Sequence, residues 1–168
     1  MGAAGFFQDE RVELLEGEIL SMSPKLSQHA FAVNQLTYAL VPRLGSTAVV
    51  RFQDPVVLDD WSEPEPDVAV CEPVPDRYAS AHPRADEVRL IIEVAESSLS
   101  YDRTRKAQAY AAAGIAEYWI VNLVDRWVEV RADPDPITRS YRQQREVRPG
   151  NTLAVPGDGT IAVTDILP

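Results

Sequence analysis

The chain has 168 residues, of which 45% are hydrophobic and 25% are charged, and this size and balance predict one globular domain over residues 1–168. The net charge of −10 argues against a surface that coats nucleic acid, although it leaves room for a local basic cleft. No apolar stretch approaches the roughly 20 residues needed to cross a bilayer, and the N-terminus lacks a signal-peptide pattern. We therefore expect a cytoplasmic protein with no membrane partner. One cysteine and two distant histidines exclude a zinc centre.

The first half of the chain predicts a hairpin, a helix and several strands. Two short apolar runs flank Glu16-Gly17, which is typical of a hairpin turn. Apolar residues then recur near helical spacing, and Pro42 is expected to end this helix early. The predicted elements are strands at 12–15 and 19–22, a helix at about 27–44, and strands at 47–52, 55–58 and 68–71.

The second half predicts an exposed loop, a buried strand, a helix and a β-rich end. Proline and charge dominate residues 72–87, a loop length that usually carries function or mobility. Serines after Ala95 can cap a helix, and Gly114 suits the left-handed position after its last turn. The predicted elements are a strand ending near 95, a helix at about 101–113, strands at 117–121 and 127–130, a loop at 133–136, and β-like pieces ending at 160–167. This order of helices and strands favours a mixed α/β fold of the α+β class.

Two acids stand in apolar, strand-like runs, where a carboxylate is costly to keep. Asp67 directly precedes the strand 68–71, and Glu93 interrupts the run 90–95. An ionised carboxylate on a buried strand costs several kcal/mol unless a cation or hydrogen bonds compensate for it. Two neighbouring strands can hold both carboxylates close together, which suits Mg²⁺ with its preference for oxygen ligands. The pattern therefore suggests a shared divalent metal ion.

The helix that follows carries three polar residues on one face. Asp102, Lys106 and Tyr110 recur at every fourth position, so this face could look toward the carboxylates. The alternative is an ordinary surface ion pair between Asp102 and Lys106, worth a few tenths of a kcal/mol. Lys25 and Lys106 are the only lysines among sixteen basic residues. A lysine ammonium is a compact charge that can approach a phosphate or a water closely.

The order of several short motifs resembles the Uma2-type endonucleases, which are similar to the PD-(D/E)XK nuclease superfamily. The resemblance covers about residues 12–130, and its motifs are fairly specific only as an ordered set. They are Glu16-Gly17-Glu18, Met22-Ser23-Pro24, His29, Pro66-Asp67-Val68, Ile92-Glu93-Val94, the Asp102, Lys106 and Tyr110 face, Gly114, and Glu117-Tyr118-Trp119-Ile120-Val121. The resemblance implies a restriction-endonuclease-like mixed central sheet flanked by helices, followed here by additional short strands.

The resemblance also implies a set of site residues. Asp67 matches the aspartate of the PD motif and Glu93 the acid of the (D/E)XK motif, so both are expected to bind the metal. The position of the usual lysine is occupied by Ala95, and Lys106 is its expected replacement from the following helix. Glu18 matches an N-terminal acid that often completes such sites, with a surface hairpin acid as the alternative.

The implied function is that of an endonuclease that depends on Mg²⁺ or Mn²⁺. Its expected substrate is nucleic acid, with DNA favoured over RNA, and its expected assembly is a homodimer. The absent lysine and the acidic net charge keep a second function open. This alternative is a catalytically degenerate nuclease fold that binds nucleic acid or protein. His29, near the start of the first helix, is either a general base or a structural hydrogen-bonding residue.

Overall fold

The computed structural model describes residues 11–21, 25–157 and 159–168. Its centre is a mixed sheet of six strands in the order β3-β4-β5-β6-β7-β8. The strands are β3 (Val49–Phe52), β4 (Val68–Cys71), β5 (Val88–Ala95), β6 (Glu117–Asn122), β7 (Trp127–Asp135) and β8 (Ser140–Val147). β5 and β6 pair in parallel, and every other neighbouring pair in this sheet is antiparallel. The predicted mixed sheet is confirmed.

The parallel pair requires a crossover, because parallel neighbours cannot be joined by a tight turn. Helical segment 99–112 provides it. This segment consists of α2 (Leu99–Tyr101), a π-helical turn (Asp102–Lys106) and α3 (Ala107–Ala112). Gly114 follows with a φ of 77°, a left-handed conformation that glycine adopts without steric cost, and the chain turns there into β6.

The two faces of the sheet are covered by different helices. Helix α1 (Ser27–Leu44) packs on one face, together with Leu90, Ile92 and Val94 of β5. Helical segment 99–112 packs on the other face, which carries the alternate β5 residues around Glu93. Each fully buried large apolar side chain contributes roughly 1.5–3 kcal/mol, so these two layers can support a few buried charges at the site.

Smaller β elements stand outside the main sheet. The hairpin of β1 (Val12–Leu15) and β2 (Glu18–Ser21) is joined to the segment before β4 by backbone hydrogen bonds between Leu14 and Glu63. A second pair, β9 (Thr152–Ala154) and β10 (Thr160–Ala162), is followed by the short helix α4 (Val163–Ile166). The hairpin is confirmed, although Met22 at its predicted end lies outside the described residues.

Several predicted element boundaries are wrong. Helix α1 continues through Pro42, because a proline in the last turn removes only one backbone hydrogen bond. Residues 55–58 belong to none of the strands described above, and their β-pairing is limited to one isolated bridge between Val57 and Arg84. The predicted loop at 133–136 is largely strand, since β7 extends to Asp135 with a positive φ at Asp133. The strand-like end at 160–167 divides into β10 and α4.

Candidate active site

A cleft of about 500 Å³ opens where β4 and β5 meet the hairpin and the start of α1. Acidic and basic side chains from these elements and from helical segment 99–112 line it. They are Glu13, Lys25, His29, Glu65, Asp67, Glu93, Glu96 and Lys106. Three of the four residues expected at the site, Asp67, Glu93 and Lys106, therefore share one cleft.

The antiparallel pairing of β4 with β5 brings the two strand acids together. The register pairs Val68 with Ile92, so Asp67 and Glu93 are the next positions along the two strands. The Asp67 backbone N–H donates to Glu93 Oε2 at 3.4 Å, and the Val94 backbone N–H donates to Asp67 Oδ2 at 2.9 Å. The two carboxyl groups thus lie next to each other, and each contacts the other strand.

Asp67 is buried and accepts hydrogen bonds on both carboxylate oxygens. His29 Nε2 lies 2.9 Å from Oδ2, which also receives the Val94 N–H, and Gln53 Nε2 donates to Oδ1 at 3.1 Å. Burial by itself raises the pKa of Asp67, but the hydrogen bonds and the charge of His29 outweigh it and hold the pKa below its usual value. Asp67 is therefore an ionised carboxylate at neutral pH.

Glu93 has the opposite balance. Lys106 Nζ at 2.9 Å and the Tyr110 hydroxyl at 2.7 Å both donate to its Oε1. Burial nevertheless raises the pKa of Glu93 to about 8, with Lys106 opposing the rise and neighbouring acids, Asp102 first, adding to it. A carboxyl group whose pKa burial raises in spite of its ammonium partner is in a setting that favours an added cation.

Lys106 is buried between two carboxylates, at 2.9 Å from Glu93 Oε1 and 3.1 Å from Glu13 Oε2. Burial lowers the pKa of Lys106, but attraction to Glu93, Glu13 and Asp102 outweighs it and raises the pKa above its usual value. The ammonium is therefore charged. The surface pair of Asp102 with Lys106 is not observed, because the Asp102 side chain is buried and accepts a hydrogen bond from Ser98 Oγ at 2.6 Å.

The π-helical turn Asp102–Lys106 ends at one of the residues that contact Glu93. Such turns are rare and often occur at functional sites. Lys106 closes the turn and Tyr110 lies one turn further along in α3, and both side chains reach the same oxygen of Glu93. Two of the three residues on the predicted face therefore contact a site carboxyl group, and the π turn that contains Asp102 and Lys106 was not predicted.

Glu13 is a site residue that the sequence reasoning missed. It is buried, its Oε2 contacts Lys106 Nζ, and it also accepts the Glu65 backbone N–H at 3.3 Å. Glu18, the expected N-terminal acid, stands opposite Leu15 at the turn end of the hairpin. Its side chain is 61% exposed and pairs with Arg105 at 2.7 Å. Burial alternates along β1, with Glu13 and Leu15 both buried, but the sequence gives no signal for it, because the opposite face carries the apolar residues Val12 and Leu14.

The buried charges of the site are unbalanced. Among the described residues the buried acids are Glu13, Asp67, Glu93 and Asp102, and the buried cation beside them is Lys106. Burial raises the pKa of Asp102 to about 6, with Lys106 and the Ser98 hydrogen bond opposing the rise. The excess of carboxyl groups over cations is the electrostatic condition that a bound metal ion relieves.

The oxygen donors at the site fit a hard divalent cation. Within ranges 11–21, 25–157 and 159–168, no group of three or more His, Cys, Asp and Glu side chains is arranged to hold a metal ion. Mg²⁺ needs less from the protein, since it commonly takes one or two carboxylates and completes its shell with waters and substrate phosphate. Asp67 and Glu93 provide such a pair.

Comparisons with known proteins agree with this fold. Residues 4–160 match the family model described as "Uma2: Putative restriction endonuclease". The structure is similar to that of "a putative nuclease belonging to DUF820 from Anabaena variabilis", with a TM-score of 0.73 and 13% identity over 95% of this chain and 91% of that chain. A search of curated proteins found no match. In the part of the chain that the structure describes, no helix is both long and apolar enough to span a bilayer.

Proposed function

This chain belongs to the Uma2 family, and from that premise we propose that it is an endonuclease that hydrolyses nucleic-acid phosphodiester bonds with Mg²⁺ or Mn²⁺. One observation carries the proposal. Asp67, Glu93 and Lys106 meet in a single cleft, where the two acids come from adjacent strands and the ammonium contacts one of them. Two carboxylates and a charged amine are the groups that metal-assisted phosphodiester hydrolysis requires.

Asp67 and Glu93 would hold the metal through their carboxylate oxygens. When bound, the ion supplies a charge that polarises a phosphate oxygen and lowers the pKa of a coordinated water. Asp67 is ionised for this role, whereas Glu93, whose pKa burial raises to about 8, would bind a cation in its deprotonated form. Glu93 therefore links metal affinity to pH.

Lys106 would act in the transition state, where negative charge accumulates on the phosphate. Its ammonium is a fixed, charged donor, because Glu13 and Glu93 hold it from two sides. A donor held in place before the reaction stabilises developing charge without the cost of reorganisation. Glu13 is thus a positioning residue for Lys106.

Hydrogen bonds set the orientation of both metal-binding acids. His29, Gln53 and the Val94 N–H fix the carboxylate of Asp67, and the Tyr110 hydroxyl fixes that of Glu93. Supporting contacts of this kind usually matter almost as much as the ligands themselves. The contact with Asp67 favours a supporting role for His29 over general base catalysis.

The remaining parts of the proposal concern substrate, assembly and location. We propose DNA as the substrate, a homodimer as the active form and the cytoplasm as the compartment. The exposed apolar side chains Phe31, Tyr38 and Val41 on α1 support an association surface, since they lie on the side of this helix that faces solvent. Sedimentation equilibrium tests the assembly against twice the chain mass of 18.6 kDa.

A cleavage assay tests the activity. Fluorescein-labelled DNA duplex, DNA single strand and RNA are incubated with the protein in Mg²⁺, in Mn²⁺ and in EDTA. We expect cleavage of DNA that needs the metal and is abolished in Asp67→Asn. The matched control is Arg145→Met, which removes a charge from an exposed position on β8 and leaves cleavage unchanged. Cleavage in EDTA, or full activity of Asp67→Asn, contradicts the proposal.

A nuclease fold that binds nucleic acid or protein without cleaving it is the second candidate. Ala95 favours it, because this fully buried residue stands where the superfamily motif has its lysine. This candidate predicts no metal-dependent cleavage of any of the three substrates. It also predicts no measurable affinity of the wild-type protein for Mg²⁺ or Mn²⁺, since a module without chemistry has no need to keep the ion.

A further inference from the structure

Lys25 lines the same cleft as Lys106 but belongs to a different wall. It lies two residues before α1, and Leu26, which caps this helix, and His29 in its first turn also line the cleft. Lys106 comes from helical segment 99–112, on the opposite face of the sheet. The only two lysines of a chain that otherwise uses arginine thus stand on two sides of the candidate active site.

The two lysines differ in how they are engaged. Lys106 is buried and shared between Glu13 and Glu93, so it has little freedom to move toward an incoming strand. Lys25 is only partly buried, and the ion pairs among the described residues do not include it. Burial lowers the pKa of Lys25, repulsion from Arg11 lowers it further, and attraction to Asp67 opposes both. A partly buried ammonium in the wall of the cleft is a favourable place for an anion.

A nucleic-acid strand must approach this cleft against the field of a chain with a net charge of −10 and a group of acids at the bottom. Local cations at the wall are therefore needed to offset the repulsion between phosphates and carboxylates. A lysine suits this role, because its flexible stem carries a compact charge that can follow a phosphate.

We propose that Lys25 binds a phosphate next to the scissile one and so positions the strand across Asp67 and Glu93. This inference rests on the proposed nuclease function. Lys25 is a positioning residue, and it acts on binding of the strand more than on the chemical step. Its partner is a nonbridging phosphate oxygen, so the contact carries no base specificity.

Steady-state kinetics on the labelled DNA duplex in Mg²⁺ test the first part of this proposal. For Lys25→Met we expect KM to rise about fivefold to tenfold, as for the loss of one charge-assisted hydrogen bond, while kcat stays within about twofold. Lys25→Arg restores most of the loss, since a phosphate accepts either cation. Arg145→Met is the matched control, because it removes one positive charge outside the cleft and leaves KM unchanged.

The salt dependence of binding tests it independently of catalysis. Fluorescence anisotropy of the same duplex in EDTA gives Kd over a series of KCl concentrations. Removal of one phosphate contact lowers the slope of log K against log salt by about 0.9 for duplex DNA. We expect this change in Lys25→Met and no change in Arg145→Met.

The outcomes separate the two proposals. If the wild-type protein cleaves DNA while Lys25→Met keeps the wild-type KM and salt slope, Lys25 has no contact with the strand and only this inference fails. If Lys25→Met instead loses metal affinity or thermal stability while the salt slope of DNA binding is unchanged, Lys25 supports the Asp67 carboxylate or the fold. In that case Lys25 does not contact the strand and the inference is overturned. A wild-type protein that neither binds nor cleaves any of the substrates removes both proposals.

Discussion

The start of β4 and the interior of β5 each hold one acid of the cleft, and their surroundings shift the two pKa values in opposite directions. At the start of β4, Asp67 receives donors on both oxygens, and its pKa is lowered despite burial. Inside β5, Glu93 receives its two side-chain donors on a single oxygen, and burial raises its pKa to about 8. At Glu93, burial and the neighbouring acids Asp102, Asp67 and Glu13 outweigh Lys106, whereas at Asp67 the hydrogen bonds and His29 outweigh burial.

This difference divides the work of the cleft. Asp67 presents a carboxylate that is ionised at neutral pH. Glu93 has a raised pKa and contacts Lys106, so its charge depends on pH, and in the proposed mechanism it would make metal affinity depend on pH as well.

The largest effect is expected at Lys106. Lys106→Met should lower the turnover of DNA cleavage by roughly a hundredfold or more, on the order of 3 kcal/mol, because a positioned donor to the transition state is lost. Metal binding, measured by calorimetry, should survive, since Glu93 and Asp67 remain. Arginine should rescue poorly, because its planar group cannot fit the space of an ammonium between Glu13 and Glu93. Lys106→Gln with a circular dichroism spectrum separates a folding defect from lost chemistry. Turnover at the wild-type rate in Lys106→Met would remove Lys106 from the mechanism.

The next effect concerns Asp102 and pH. Its pKa in the folded protein, about 6, lies above the ordinary value of 3.8. Folding therefore favours the protonated form of Asp102. The stability that this form contributes is fully present below about pH 4 and is lost as the pH rises through about 6. Asp102→Asn should thus raise the free energy of unfolding at pH 7 by up to about 3 kcal/mol relative to its effect at pH 4. Urea denaturation at both pH values measures the free energy of unfolding. An equal effect of Asp102→Asn at pH 4 and pH 7 would show that burial does not destabilise the ionised form of Asp102.

A third, smaller effect contrasts the two acids proposed as metal ligands, measured with no metal present. Asp67→Asn should destabilise the protein by about 2 kcal/mol at pH 7, because charge-assisted hydrogen bonds on both oxygens become neutral or are lost. Glu93→Gln should cost less than about 1 kcal/mol, since the amide oxygen can accept from both Lys106 and Tyr110 and burial already penalises the charged form of the acid. Thermal unfolding in EDTA compares them. A larger loss of thermal stability in Glu93→Gln than in Asp67→Asn would contradict the contrast between the two carboxyl groups.

The smallest effect belongs to Tyr110. Tyr110→Phe removes a 2.7 Å hydrogen bond to Glu93 and should raise the pKa of that acid further, because a donor to the charged form is lost. We expect metal affinity at neutral pH to fall by a few-fold, about 1 kcal/mol, with the fold unchanged. The matched control is Tyr141→Phe, whose buried hydroxyl bonds the Ile115 carbonyl instead. Equal affinity in the two variants would show that the Tyr110 hydroxyl has no effect on Glu93.

Much of the site follows from the sequence by simple physical arguments. Acids in apolar strands require a common explanation, and the antiparallel register of β4 and β5 provides it by placing Asp67 beside Glu93. Four-residue spacing on a helix brings Lys106 and Tyr110 to the same face. The mixed sheet and its flanking helices were also predicted, from the resemblance to the family. The roles of these residues in metal binding and catalysis stay predictions.

The rest depends on tertiary contacts that local patterns do not contain. Which end of the β1 and β2 hairpin meets the cleft is decided by its backbone bonds to Glu63, and this selects Glu13 over Glu18. The π turn that ends at Lys106 adds no signature of its own to the sequence. Pro42 stays inside α1 and β7 continues past Asp133, because pairing and packing outweigh local preferences.

Titration calorimetry with Mn²⁺ shows directly whether Asp67 and Glu93 together hold a divalent ion. The account predicts one site in the wild-type protein, with tighter binding at pH 8 than at pH 6 because Glu93 must release its proton. It predicts no measurable binding in Asp67→Asn or in Glu93→Gln, both folded by circular dichroism, and unchanged binding in Arg145→Met. Wild-type affinity in both acid variants would contradict the account.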